Sequence, residues 1–197
     1  MGALLQRAGR ALRRCAVALV HHPVVDAQQA IVTTAVTNLD VHDLARSART
    51  YGCSDYFVVH PIAAQRELVT RICDHWTAGP GGRRIPDRAD ALGLVRIVDS
   101  LEAVYAAFGG RDAVETWATA ARNLGPTLPF GEARTRLAAD EGKPVVVVFG
   151  TGWGLAPAVV DGADALLEPI VALRGLYNHL SVRAACAIAL DRLLGKR

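Results

Sequence analysis

The chain has 197 residues, 51% hydrophobic and 21% charged, with a formal net charge of only +3. That length suits one ordinary α/β domain or two small ones, and the composition excludes general disorder. The slight excess of positive charge permits an RNA or DNA partner without arguing for one, and no apolar window approaches the length of a membrane span, so the expectation is a soluble, cytoplasmic protein with no membrane partner.

Arg7, Arg10, Arg13 and Arg14 all precede the first acidic residue, Asp26. Residues 1–14 therefore read as a basic extension: an amphipathic helix, an organelle transit peptide or an unstructured segment. Residues 15–197 read as the folded domain. Ala16 to Val20 is a short apolar strand ending at His21-His22-Pro23. A helix follows over Asn38 to Gly52, with Leu39, Leu44, Ala45 and Ala48 on one face, Thr37 or Asn38 as its cap and Gly52 as its stop. On that helix Asp43 and Arg46 are spaced to form a surface pair. Asp55 to His60 is a second strand, and Pro61 opens a helix running to Trp76.

Ala78 to Asp87 (AGPGGRRIPD) reads as a Gly/Pro loop. Beyond it come a strand over Leu94 to Val98, a helix over Leu101 to Phe108 and a weaker strand over Ala113 to Ala120. Phe130 to Asp140 reads as helix, Val145 to Phe149 as a fully buried central strand, Ala165 to Ile170 as a short strand, and Asn178 to Leu194 as a long final helix. Strands alternating with helices predict an α/β fold, a parallel sheet sandwiched by helices.

The four cysteines, Cys15, Cys53, Cys73 and Cys186, form no Cys-x-x-Cys pair, and no histidine spacing suits zinc. They read as buried or incidental thiols, and no metal is expected.

The central strand breaks off into Gly150-Thr151-Gly152-Trp153-Gly154, where a ligand crevice of an open α/β sheet would lie. The dinucleotide pattern needs Gly-x-Gly-x-x-Gly, and here the third glycine comes one residue early; a phosphate loop would end in Gly-Lys-Ser/Thr. By itself the loop is either a ligand site or a tight turn. In Tyr177-Asn178-His179-Leu180-Ser181-Val182, Asn178 or Ser181 can cap the last helix.

Taken in order, Asn38 to Gly52, Phe149 to Leu155 and Glu168 to Ile188 resemble the three motifs of the SPOUT superfamily of S-adenosylmethionine-dependent RNA methyltransferases. VTTAVTNLDVHDLARSARTYG, FGTGWGLAP and YNHLSVRAA are most similar to a stand-alone bacterial family related to the TrmD-type tRNA guanine-N1 methyltransferases. The resemblance implies a deep trefoil knot near the C-terminus, a topology that general folding rules would not propose. It implies S-adenosyl-L-methionine as cofactor, held by three loops: Thr119, Ala120 and Ala121; Gly150, Thr151, Gly152, Trp153, Gly154 and Leu155; and Ile170, Tyr177, Leu180 and Ser181. The glycines would let the donor reach backbone groups.

By the same resemblance, Arg46 falls on the catalytic arginine of ribose-methylating relatives, and Asn38 and His42 would contact the target nucleotide of a tRNA or rRNA. Asp40 and Asp43 are possible bases. His-Leu-Ser-Val at residues 179–182 replaces the Ser-Leu-Asn-Val of ribose methylases, and the sequence ends at Arg197 without the C-terminal domain of TrmD-type enzymes. RNA contacts would come from Arg83, Arg84, the basic N-terminus or a dimer surface, and the implied assembly is a homodimer using the last helix. The alternatives are a catalytically silent knotted protein that binds donor or RNA, and a nucleotide-dependent oxidoreductase suggested by GTGWG alone.

Overall fold

A computed structural model describes residues 13–139, 141–174 and 177–196. Six parallel strands form the central sheet: β1 (Cys15–Val20), β4 (Tyr56–Val59), β5 (Val95–Val98), β6 (Glu115–Ala118), β7 (Val145–Gly150) and β8 (Ala165–Leu166). Their spatial order is β5-β4-β1-β7-β6-β8. The chain starts in the middle, builds outward through β4 and β5, crosses to β6, and then inserts β7 between β1 and β6. Cys15 to Val20 pair residue by residue with Val145 to Gly150.

Because side chains alternate across a strand, β1 feeds two cores. Cys15, Val17 and Leu19 face one, and Ala16, Ala18 and Val20 face the other. The first core is covered by α1 (Asn38–Thr50), α2 (Ala63–Thr77), α6 (Phe130–Leu137) and α8 (Val182–Leu194); the second is covered by α5 (Leu101–Ala106) and α7 (Pro157–Asp161). Both faces of the central strands are therefore buried, which is why β1, β4 and β7 are unbroken apolar runs rather than alternating patterns. Trp117 of β6 is fully buried. Cys15, Cys53 and Cys186 lie in the first core and Cys73 is half-buried, all as free thiols.

Several expectations change in detail. The apolar face of α1 is Val41, Leu44, Ala45 and Ala48, whereas Leu39 points outward at 59% exposure. Thr37 caps this helix, its side chain accepting from the Asp40 N–H. Pro61 lies outside α2, which begins at Ala63. The stretch read as a Gly/Pro loop holds two short helices, α3 (Pro80–Arg84) and α4 (Pro86–Leu92). Each has proline in its first turn, where a missing N–H costs nothing.

The strand expected over Ala165 to Ile170 pairs with β6 only at Ala165 and Leu166, and Leu167 bridges to Leu128 on its other side. The last helix begins at Val182, not Asn178, with Ser181 as its cap accepting from Ala184 N–H. The helix expected to reach Asp140 closes at Leu137, and Asp140 itself lies outside the described residues. Unforeseen were α7 and a small antiparallel ladder of β2 (Val24–Val25) and β3 (Ile31–Val32). Of the basic extension, residues 1–12 lie outside the described residues. Arg13 and Arg14 join the domain, Arg13 N–H donating to Leu137 and Arg14 pairing with Asp55 at 2.7 Å.

Candidate active site

β1 and β7 are neighbours, and their following segments leave from the same carboxyl edge of the sheet. A crevice at such a place is the usual ligand site of an open α/β fold. Here it is a cleft of about 1080 Å³, lined from β6 (Thr119, Ala120, Ala121), from β7 (Gly150 to Leu155) and from the segment before α8 (Ile170, Leu180, Ser181). The three loops that the sequence separates by dozens of residues thus converge on one space. Phe149, Leu155 and Leu167 give it apolar walls.

The glycines shape this cleft by packing as much as by exposure. A Cβ on Gly150 would lie 2.6 Å from Leu155 N, so the loop can fold back only over a glycine. Gly154 has φ +117°, a conformation that side chains resist, and a Cβ there would meet nothing within 4 Å. Three N–H groups of the loop are already used: Thr151 donates to Val20, Trp153 to Val25 and Gly154 to Thr151. The loop is held firmly by the rest of the chain.

Beneath it runs a buried polar ladder that sequence reading missed. His21 and His60 are fully buried. Ile62 N–H donates to His60 Nδ1 at 3.1 Å, so His60 Nε2 carries the proton and donates to Thr34 O at 2.9 Å. Thr151 Oγ1 donates to Val20 O at 3.2 Å, and Thr34 Oγ1 then donates to Thr151 Oγ1 at 2.5 Å. Each hydroxyl has one proton, so His21 Nδ1 must donate to Thr34 Oγ1 across 3.1 Å. Among the described residues His21 Nε2 is left as a buried acceptor with no partner. Burial, reinforced by the nearby His60, pushes the His21 pKa down to about 4, so the ring is neutral near pH 7. The one available signal was position: His21-His22-Pro23 directly follows β1.

A second missed feature crosses the cleft. Arg183, in the first turn of α8, pairs with Asp40 of α1 at 2.7 Å and lies 3.6 Å from Asp43. Thr37 Oγ1 donates to the other Asp40 oxygen at 2.6 Å. The expected Asp43–Arg46 surface pair is therefore not what forms: Asp43 turns to Arg183, whose guanidinium lies above the start of α1.

The remaining expected site residues are not in this cleft. Asn38 is exposed beside the lining residues Thr37 and Asp40 but does not line the cleft itself. His42 turns toward α2, its ring meeting Trp76 edge-on at 5.5 Å between centroids. Burial and the neighbouring Arg88 lower its pKa. Arg46, one turn along the same face as His42, is exposed. Tyr177 is 81% exposed and stands outside the cleft lining, whereas its neighbour His179 is part of it. Among the described residues no group of three or more His, Cys, Asp or Glu could hold a metal, and no helix is long and apolar enough to cross a membrane.

Residues 14–195 match the family described as SAM-dependent RNA methyltransferase. A tRNA (guanine-N(1)-)-methyltransferase of Nitratidesulfovibrio vulgaris is 46% identical over 180 residues, 90% of this chain and 41% of that protein. This chain thus spans well under half the length of that curated relative. An uncharacterized protein of Aquifex aeolicus is 36% identical over 183 residues, covering 91% of this chain and 88% of its own length. Among solved structures, TrmJ from Z. mobilis ZM4 shares the fold with a TM-score of 0.57 at 17% identity, over 95% of this chain and 70% of that one.

Proposed function

Because this chain belongs to the SAM-dependent RNA methyltransferase family, with the α/β fold of SPOUT methyltransferases, we propose that it methylates a nucleotide of tRNA. The observation that carries the reading is the convergence of three separated loops on one cleft at the carboxyl ends of β6 and β7. The name of the Nitratidesulfovibrio relative favours tRNA over rRNA.

The residues fit the donor. The cleft is large enough for a nucleoside-sized ligand, has apolar walls and a few fixed polar groups, and opens beside a glycine with no Cβ. Thr119 to Ala121, the backbone of Gly150 to Leu155, and Ile170, Leu180 and Ser181 would hold it. Bound there, it supplies an electrophilic methyl group. The chain's own contribution is to align the acceptor and take up its proton as the new bond to carbon forms.

Asp40 and Asp43 both face Arg183, so neither takes that proton unless the pair opens. In our reading Arg46 and Asn38 serve a second copy of the chain: both are exposed on α1 and stand apart from their own cleft. This favours a homodimer. A trefoil knot near the C-terminus belongs to the same reading; β8 lies at the sheet edge and α8 packs on α1 and α6. In this reading residues 15–197 form the catalytic domain, to which Arg13 and Arg14 are also tied, working in the cytoplasm.

Calorimetric titration with S-adenosylhomocysteine, with NADH and ATP as controls, tests the donor site. Selective binding of the first, followed by methyl transfer to bulk tRNA, is the expected result. Binding of NADH instead would refute the reading.

A further inference from the structure

At the mouth of the cleft the aromatic side chains form a group of their own. Trp153 stands at the tip of the glycine loop with 62% of its surface exposed. Its ring centroid lies 6.2 Å from that of His179 at 81°, and His179 lies 5.2 Å from Tyr177 at 53°. None of these rings is stacked flat on another. The backbone under the indole is fixed, Trp153 N–H donating to Val25 O at 3.0 Å and Val25 N–H to Gly154 O at 2.9 Å. A rigid loop that holds a large apolar ring out into water has no folding reason to do so.

We infer that Trp153, flanked by His179 and Tyr177, is a stacking platform for one unpaired nucleobase of the RNA, outside the donor pocket. The inference rests on the methyltransferase reading of the cleft. Volume supports it: about 1080 Å³ is at or above the usual upper size of a site for a single small ligand, so the cleft accommodates donor and nucleotide together. Position supports it as well. The enclosed apolar wall lies deep, at Phe149 and Leu167, and the aromatic group lies outward, where RNA arrives. Arg122 lines the same cleft, and among the described residues its guanidinium makes one bond, to Gln29 at 3.0 Å, leaving donors for a phosphate. Aromatic faces accept any base, and such stacking suits single-stranded or splayed nucleotides.

The test compares the full-length wild type with Trp153→Ala and Trp153→Phe. Two probes are titrated: S-adenosylhomocysteine, and a short single-stranded RNA carrying 2-aminopurine, whose fluorescence reports stacking. Trp153→Ala should weaken RNA binding by roughly ten-fold or more and relieve the 2-aminopurine quenching. Trp153→Phe should restore most of both, and S-adenosylhomocysteine affinity should stay within about two-fold throughout, well under the roughly 1.4 kcal/mol of a ten-fold change. Loss of S-adenosylhomocysteine binding in Trp153→Ala would make the indole a donor wall and overturn the platform. Unchanged RNA binding would overturn it too, as would a changed sedimentation coefficient with RNA binding intact, which would assign the ring to a subunit contact. Failure of the wild type to bind either probe would refute the methyltransferase reading itself.

Discussion

Arg183 Nη1 lies 2.7 Å from Asp40 Oδ1, tying the first turn of α8 to the first turn of α1 across one wall of the cleft. Asp40 is buried, and its second oxygen is taken by Thr37. Removing the guanidinium leaves a desolvated carboxylate with one neutral donor. Arg183→Met should therefore destabilise the fold by about 1–3 kcal/mol, read from the urea midpoint. The pair Arg183→Met with Asp40→Asn should cost less than the sum of the two single changes. Strict additivity would show that the pair is not coupled.

The glycines of the loop should fail for different reasons. Gly150→Ala puts a Cβ 2.6 Å from Leu155 N, so the loop must open. Affinity for S-adenosylhomocysteine should fall by roughly ten-fold or more, together with about 1–3 kcal/mol of stability. Gly154→Ala meets no atom within 4 Å and should cost stability only through its backbone conformation, about 1–2 kcal/mol. Equal behaviour of the two in chemical denaturation would contradict the packing role of Gly150.

His21 makes the fold sensitive to acid. Burial, then His60, lowers its pKa from 6.5 to about 4, so the unfolded chain binds a proton more readily than the folded one. The stability it confers is complete above pH 6.5 and is lost as the pH falls toward about 4, amounting to on the order of 3 kcal/mol. Protonation adds a charge to a buried ring whose Nε2 has no partner among the described residues. Urea midpoints measured between pH 7 and pH 4 should fall steadily, and the slope should shrink in His21→Gln. An unchanged slope in that variant would place the sensitivity elsewhere.

Arg46 is exposed on α1, away from its own cleft. Arg46→Ala should leave S-adenosylhomocysteine affinity and thermal stability unchanged and lower methyl transfer to tRNA by roughly a hundred-fold. Arg49→Ala is the control, since the Arg49 side chain forms an exposed pair with Asp90 at 2.6 Å, worth at most about 1 kcal/mol. Full transfer activity in Arg46→Ala would remove that residue from the mechanism.

What could be read ahead of the structure was what leaves a local trace. The run Val145 to Phe149 announces a strand buried on both faces, and Thr37, Ser181 and the first-turn prolines announce helix starts. Of the residues assigned to the three loops, all but Tyr177 line one cleft. Leu39 was misplaced because helical spacing admits two overlapping faces, and packing against β4 and α8 selected the one through Val41 and Leu44. Asn178 to Leu180 were read as helix because Asn178 is itself a candidate cap, whereas the Ser181 cap fixes the start. Asn178 instead donates to Ala121 O at 2.7 Å.

The sequence by itself determined the α/β class, the central position of the valine strand and the family, because each depends on periodicity or on contiguous residue patterns. Only the tertiary structure decided which polar groups meet. The His21–Thr34–Thr151 ladder joins residues up to 130 apart, and the Arg183–Asp40 pair joins residues 143 apart. Such contacts depend on β7 inserting beside β1 and on α8 returning to α1, and nothing in the local spacing of those residues encodes that return.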